Sequence, residues 1–194
     1  FVVGGWVRDE IMGVPSHDKD LMVTGLSQEQ FTTLFPDAIM TGKDFPVFRL
    51  EIGEEEMEIA LARKERKTAV GHNGFSMVAD GSVTIEEDLS RRDTRMNAIA
   101  MDLLSGEVVD PFGGTEDIQN GVIRHVSDAF HEDALRVLRV ARQAAKFGFS
   151  VADETIGMCR SCKEELRTIS AERVREEMMK ALETERPSVF FRTL

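Results

Sequence analysis

A mixed α/β unit followed by an all-helical one is the fold class this sequence predicts. Three observations carry it. Residues 1–120 hold short apolar runs at strand spacing, separated by glycine turns. Beyond residue 120 the apolar positions recur at helical spacing. The composition, 42% hydrophobic and 30% charged over 194 residues, suits a folded soluble chain rather than a disordered one. The expected division is therefore 1–120 and 121–194.

The elements follow in order. Phe1–Val3 is an apolar run that stops at Gly4-Gly5, and Trp6–Met12 has helical spacing ending at Gly13, a C-cap residue. Asp18–Thr24 has a strand pattern around Leu21, Met22 and Val23. Ser27 opens a Ser-x-x-Gln box before Phe31 and Leu34, which predicts a short helix. Phe45–Leu50 and Met57–Ala62 are strands across a turn at Gly53 and Glu54–Glu56, and the polar stretch 64–82 is expected to be a mobile loop. Met96–Leu103 and Glu107–Asp110 flank Ser105-Gly106 as a second hairpin. Ala129–Phe147, Thr155–Leu166 and Ala171–Leu182 are expected helices.

Charge excludes some functions. The 35 acidic residues outweigh 24 basic ones, for a net charge of −11, the opposite of a non-specific nucleic-acid coat. Any nucleic acid must be met by a local basic site. Cys159 and Cys162 are too few for a four-cysteine metal site or a disulfide framework, so a reduced, cytoplasmic chain is expected, with buried thiols in a helix. No apolar run nears the ~18 residues of a membrane span, so no membrane partner is expected. Both ends fall in apolar stretches and residue 1 is Phe, the pattern of an N-terminal piece of a longer protein.

Four groups of residues could carry chemistry. Gly4-Gly5 ahead of a helix bearing Arg8 could cradle a phosphate with backbone N–H groups and a guanidinium, or be an ordinary tight turn. Asp18 and Asp20, two apart on a strand, share a face. Two such carboxylates suit a Mg²⁺ ion that keeps water and phosphate ligands, or they are a solvated strand end. Arg91-Arg92-Asp93 could hold a triphosphate or form a charged strand entry. At about 100° per residue, Asp133, Arg136 and Arg139 span an arc of roughly 120° on one helix edge, with Arg142 about 60° further on. That row fits nucleotide contact or a salt-bridge ladder.

Taken in order, Gly-Gly-x-Val-Arg-Asp, Asp-x-Asp, Arg-Arg-Asp-x-x-x-Asn-Ala, Asp-Pro-Phe-Gly-Gly at 110–114 and Glu-Asp-x-x-Arg are far more specific than any one. The chain resembles the class II tRNA nucleotidyltransferase family, which includes CCA-adding enzymes and bacterial poly(A) polymerases. Asp44–Phe48 and Ala60–Lys67 look like the bacterial CCA-adding branch. The resemblance covers nearly the whole chain. It implies a nucleotidyltransferase head of the DNA polymerase β type followed by an all-α neck, with a body and tail that grip tRNA lying beyond this chain.

By that resemblance Asp18 and Asp20 would hold two Mg²⁺ ions, with Glu58 as a third catalytic carboxylate. One ion would activate the primer 3′-OH and the other would neutralise the triphosphate. Gly5 and Arg8 would bind the triphosphate, Arg92 a phosphate or sugar, and Asp93 the ribose 2′-OH. Asp133 and Arg136 would select CTP and ATP without a template, with Arg139 and Arg142 reaching the nucleotide from later turns. The partners implied are the tRNA 3′ end, CTP and ATP. Two departures stand out. Thr94-Arg95-Met96 replaces Phe or Leu and then Thr-Ile, and Gln143 replaces a common Phe. The siblings, CC-only, A-only and poly(A) addition, share every residue named. The 64–82 segment, with Arg66, Lys67, His72 and Asn73, favours full CCA addition, since relatives use a loop there to switch from C to A. A catalytically silent RNA- or nucleotide-binding module would predict erosion of a metal carboxylate, and Asp18 and Asp20 are both present.

Overall fold

The computed structural model describes residues 1–16, 19–41, 47–53, 55–67, 75–78 and 80–194. Its elements begin with β1 (Val2–Val3), α1 (Gly5–Met12), β2 (Asp20–Val23), α2 (Gln28–Leu34), β3 (Ile39–Thr41), β4 (Val47–Ile52) and β5 (Glu55–Leu61). There follow β6 (Lys64–Lys67), β7 (Phe75–Val78), α3 (Ile85–Ser90), β8 (Ala100–Met101), β9 (Val108–Val109), α4 (Gly114–Asn120) and β10 (Val122–Ile123). The last part is α5 (Leu135–Phe147), β11 (Ser150–Val151), α6 (Asp153–Ser161), α7 (Ala171–Leu182) and α8 (Pro187–Thr193). An α/β part followed by a helical part is the class expected.

Among the described residues, a seven-stranded mixed sheet runs in the order β3-β4-β5-β2-β1-β8-β9. Within that sheet, among the described residues, only β2 and β5 pair in parallel, with Asp20 opposite Glu58 and Met22 opposite Ala60. The side-chain period of two divides the apolar residues between the two faces. Val2, Leu21, Ile59, Leu61 and Phe48 join one buried cluster with Val7 of α1 and Phe31 of α2. Val3, Met22, Ala62 and Ala100 join another with Leu89 of α3. A sheet covered on both sides has little freedom to slip, because a one-residue shift exchanges the two sets.

Local signals explain the ends of the short helices. Ser27 and Gln30 form a complete capping box at α2, and Thr84 and Glu87 form another at α3. Helix α1 stops at Gly13 in the left-handed conformation. Helix α5 is buried along two rows. Val137, Val140 and Ala144 face the head core, while Leu138, Ala141 and Ala145 pack with Ala181 of α7 and Phe190 of α8. Each large apolar side chain buried this way contributes about 1.5–3 kcal/mol.

Several expectations shift. The expected strand Asp18–Thr24 begins at Asp20, and His17 and Asp18 lie outside the described residues. The first hairpin is β4–β5, turning at Gly53, with Glu55 and Glu56 already in the strand. Phe45, and Asp44 and Pro46 beside it, lie outside the described residues. The stretch expected as a loop contains the antiparallel pair β6–β7, with Lys64 opposite Val78. His72 and Asn73 lie outside the described residues. Arg95–Asn97 is a 3-10 turn ahead of the short β8–β9 hairpin. The helix expected from Ala129 is interrupted: Asp128–Glu132 is a 3-10 turn, Asp133 is extended, and α5 starts at Leu135. An aspartate side chain that bonds a nearby backbone N–H competes with the helix, and Asp133 Oδ1 accepts from Leu135 N at 3.0 Å. The helix expected over Thr155–Leu166 is α6 plus a 3-10 turn at Glu165–Thr168.

Glycines differ in tolerance. A methyl at Gly114 would meet the Arg95 carbonyl and lie 2.8 Å from Ile99 Cγ1, whereas one at Gly157 of α6 meets nothing within 4 Å. Gly114→Ala is expected to destabilise by about 1–3 kcal/mol. Gly157→Ala is expected to stabilise by about 0.5–1 kcal/mol through the entropy of the unfolded chain. Thermal melts of the two variants check the opposite signs.

Candidate active site

Strand β1 turns into α1 through Gly4, whose φ of +72° is costly for a residue with a side chain. Gly4 N donates to Ile99 O at 3.1 Å, and its carbonyl accepts from Arg8 N at 3.1 Å. Two guanidinium groups crowd the turn. A methyl at Gly4 would lie 2.9 Å from Arg92 Nη1, and one at Gly5 would lie 3.4 Å from Arg8 Nη2. The chain thus brings Gly5, Arg8 and Arg92 together although 87 positions separate the outer two. Donors packed against an uncluttered backbone at a helix N-terminus suit an anion.

Each arginine is held from behind. Arg8, only 8% exposed, donates from Nε to Asp9 Oδ1 at 2.8 Å and from Nη1 to Asn97 Oδ1 at 2.6 Å. Its Cζ lies 4.6 Å from the centre of the Phe147 ring at the end of α5. Arg91 and Arg92 share the carboxylate of Asp88, at 2.5 and 3.1 Å. Asp88 is 0% exposed and also accepts from Arg63 N at 3.2 Å. Burial pushes its pKa up, but the two guanidiniums outweigh burial and hold it below the usual range. One carboxylate between two cations leaves net positive charge beside the glycine turn.

Asp93 is buried among donors. Its Oδ1 accepts from Thr94 N at 2.8 Å and Asn97 Nδ2 at 3.1 Å, and its Oδ2 accepts from Arg139 Nε at 2.8 Å and Gln143 Nε2 at 2.9 Å. Burial alone would raise its pKa. The Arg139 charge, the Asn97 amide and the Thr94 N–H outweigh burial and hold it far below the carboxylate range. Arg139 also lies 3.7 Å from Glu177 of α7, which takes Arg142 Nε at 2.5 Å. Arg139 and Arg142 therefore sit in a partly buried ladder joining the head, α5 and α7.

Of the three carboxylates expected to be catalytic, Asp20 and Glu58 lie on the sheet. Asp20 and Glu58 are exposed and occupy opposed positions in the β2–β5 ladder, so both project from the face that carries Met22 and Ala60. Arg49 of β4 reaches Glu58 at 3.5 Å. Lys19 Nζ stands 5.0 Å from the centre of the Trp6 ring, one residue from Asp20. Asp18 lies outside the described residues, and among the described residues no cluster of three metal-binding side chains occurs. The chemistry of Asp20 and Glu58, hard oxygens in adjacent register, fits a divalent cation that retains other ligands.

Asp133 and Arg136 lie at the entrance to α5. Asp133 pairs with Arg173 of α7 at 2.6 Å. Arg136 is buried and donates from Nη1 to Ala129 O at 2.5 Å. Asp133 is therefore not on the helix edge expected from a continuous periodicity, but precedes it. Sequence reasoning passed over Asp88, Arg173 and Glu177. Asp88 sits three and four positions before Arg91 and Arg92, a spacing that pairs on a helix. Nothing local marks Glu177, whose partner Arg142 is 35 positions away.

Comparison with known proteins adds independent findings. A family model described as the poly A polymerase head domain matches residues 1–124. A second, described as a probable RNA and SrmB-binding site of polymerase A, matches residues 148–194. The whole chain is 49% identical to a multifunctional CCA protein of Vibrio parahaemolyticus, of which it covers 48%. It is 44% identical to that of Haemophilus ducreyi, covering 47%. The chain thus spans about half the length of the curated relatives it matches. Among solved structures it resembles the Bacillus stearothermophilus CCA-adding enzyme in complex with CTP, at TM-score 0.77 and 35% identity over 92% of this chain and 43% of that one. It also resembles the Thermotoga maritima CCA-adding enzyme complexed with tRNA, at TM-score 0.76 and 31% identity over 98% of this chain and 44% of that one.

The depressed Asp93 pKa has a direction of effect on stability. The unfolded carboxylate titrates near its ordinary 3.8 and the folded one well below. Its contribution is therefore full above about pH 4 and lost as pH falls through the folded value. Asp93→Asn leaves Arg139 only the Glu177 contact at 3.7 Å and should cost about 1–3 kcal/mol at neutral pH. Urea titrations at falling pH should show the gap to the parent narrowing below about pH 4.

Proposed function

Since the chain belongs to the poly A polymerase head-domain family, we propose that it is the head (1–120) and neck (121–194) of a CCA-adding tRNA nucleotidyltransferase that extends tRNA 3′ ends with CTP and ATP. The observation that carries the reading is the meeting of Arg8 and Arg92 at the Gly4-Gly5 turn, in a chain whose relatives include CCA proteins.

In this reading the triphosphate lies against the glycine turn. Arg8 and Arg92 donate to its oxygens from orientations already set by Asn97, Asp9 and Asp88, so little conformational entropy is lost on binding. Asp18 and Asp20, with Glu58 opposite Asp20 in the ladder, would hold Mg²⁺. When two such ions are bound, one would lower the pKa of the primer 3′-OH and the other would neutralise charge on the phosphates. Asp93, beside Arg139, would sense the ribose 2′-OH.

Base choice falls to Asp133 and Arg136. Cytosine and adenine each present an amine donor beside a ring-nitrogen acceptor, which a carboxylate and a guanidinium match. Uracil and guanine present a carbonyl and an N–H there, so both contacts mispair. Arg173 pairs with Asp133, and the Ala129 carbonyl accepts one guanidinium N–H of Arg136. Arg139, 37% exposed at its side chain, and Arg142 flank them and would reach the nucleotide from the same helix.

The full-length protein, given tRNA lacking its 3′ end, should add two C residues from CTP and then one A from ATP. Long A-tails on arbitrary RNA would instead assign poly(A) synthesis. Asp20→Asn should lower addition at least about a thousandfold with no change in melting, because the residue is exposed. Turnover near that of the parent would refute the metal role. Asp133→Ala should reduce the CTP-over-UTP preference by about tenfold to a hundredfold, the worth of one good pair of contacts. Steady-state kinetics with each nucleotide checks the ratio.

A further inference from the structure

Gln143 is a polar residue in the interior of α5, only 1% exposed. Its amide is oriented without ambiguity. Asp93 can only accept, so Nε2 must face it, at 2.9 Å. Oε1 then accepts from Thr94 Oγ1 at 3.0 Å, a closer contact than the 3.5 Å from that hydroxyl to Asp93. Thr94 is itself fully buried and bridged through its backbone to His125. Gln143 thus grips two consecutive head residues with both halves of one side chain.

The contact continues in both directions. Asp93 Oδ1 takes Asn97 Nδ2 at 3.1 Å, and Asn97 Oδ1 takes Arg8 Nη1 at 2.6 Å. A chain of four hydrogen-bonded side chains therefore runs from Gln143 through Asp93 and Asn97 to the arginine at the glycine turn. Along α5, Gln143 lies seven residues after Arg136. Two helical turns are about 7.2 residues, so the two positions differ by only about 20° around the axis. Whatever fixes the azimuth of Gln143 also fixes that of Arg136.

We propose that Gln143 is a positioning residue for nucleotide selection: by holding Asp93 and Thr94 together it sets the rotation of α5, and with it the aim of Arg136, relative to the phosphate-binding turn. An aromatic side chain could fill the same space but could not bond either head residue. This deepens the nucleotidyltransferase reading and rests on it. The polar grip adds to the two apolar rows of α5, which hold the helix in place but tolerate small rotations better than a bidentate amide does.

The test uses the full-length protein with Gln143→Met, which keeps the volume and removes both bonds, and Thr94→Val, which removes the hydroxyl alone. Each is measured for melting, for kcat and KM with CTP, ATP and UTP, and for inhibition by tripolyphosphate, which probes the phosphate turn without a base. Gln143→Met should lower the CTP-over-UTP preference about tenfold through KM for CTP, with tripolyphosphate inhibition unchanged. Thr94→Val should shift the preference the same way and less. An unchanged preference in both variants, with activity lost equally for every nucleotide or with melting alone affected, overturns the positioning role. Should Gln143→Met fail to fold, Thr94→Val decides by the same criterion. A parent protein that adds neither C nor A to tRNA overturns the underlying reading and the inference with it, so the two failures are told apart by the parent's own activity.

Discussion

A carboxylate removed from water must be met by enough donors to offset the loss of hydration, and the site depends on Asp93 meeting that condition. Burial of an unpartnered carboxylate costs several kcal/mol. Here the backbone of Thr94, the amides of Asn97 and Gln143 and the guanidinium of Arg139 supply four donors from two parts of the chain. Because those donors come from both sides, the head and α5 cannot part without stranding the charge. Asp88 works in the same manner on the other flank, holding Arg91 and Arg92 where their mutual repulsion would otherwise spread them. Stored positive charge beside the glycine turn is thus sustained by buried negative charge behind it.

This arrangement also reconciles a net charge of −11 with a local site suited to an anion. What matters locally is the order of charge from the turn outwards. Guanidiniums stand next to the glycines and their carboxylates stand one layer back, at Asp9 and Asp88. A triphosphate approaching the turn meets the cations first. Interactions with exposed charges farther off are screened over about 8–10 Å by physiological salt.

Much of the head was legible because its signals are local. The capping box at Ser27 and Gln30, the C-cap at Gly13 and the strand around Leu21 to Val23 each depend on a few neighbouring residues, and each appears within a residue or two of where the pattern puts it. The turn glycines and the arginines could be named from the sequence, but not their meeting at one point, since that requires β1 and β8 to be neighbours in the sheet. The interruption at Asp133 was illegible to periodicity, which counts apolar positions and is blind to a side chain capping its own chain. The β6–β7 pair was hidden by polar composition, because charged residues suggest a loop even where backbone pairing decides the outcome. Glu177 and Arg173 left no trace at all, as their partners are 35 and 40 positions distant.

The chain has one tryptophan, and it stands in the second position of α1 with the Lys19 ammonium 5.0 Å from its ring centre. Indole emission is sensitive to a nearby charge, so this side chain is an optical probe already installed between the phosphate turn and the carboxylate strand. Any event that draws Lys19 away, whether a cation at Asp20 or an anion at Gly5, changes the colour or intensity of a signal that no other residue of this chain contributes. Occupancy of the site can therefore be followed in unlabelled protein, by light alone.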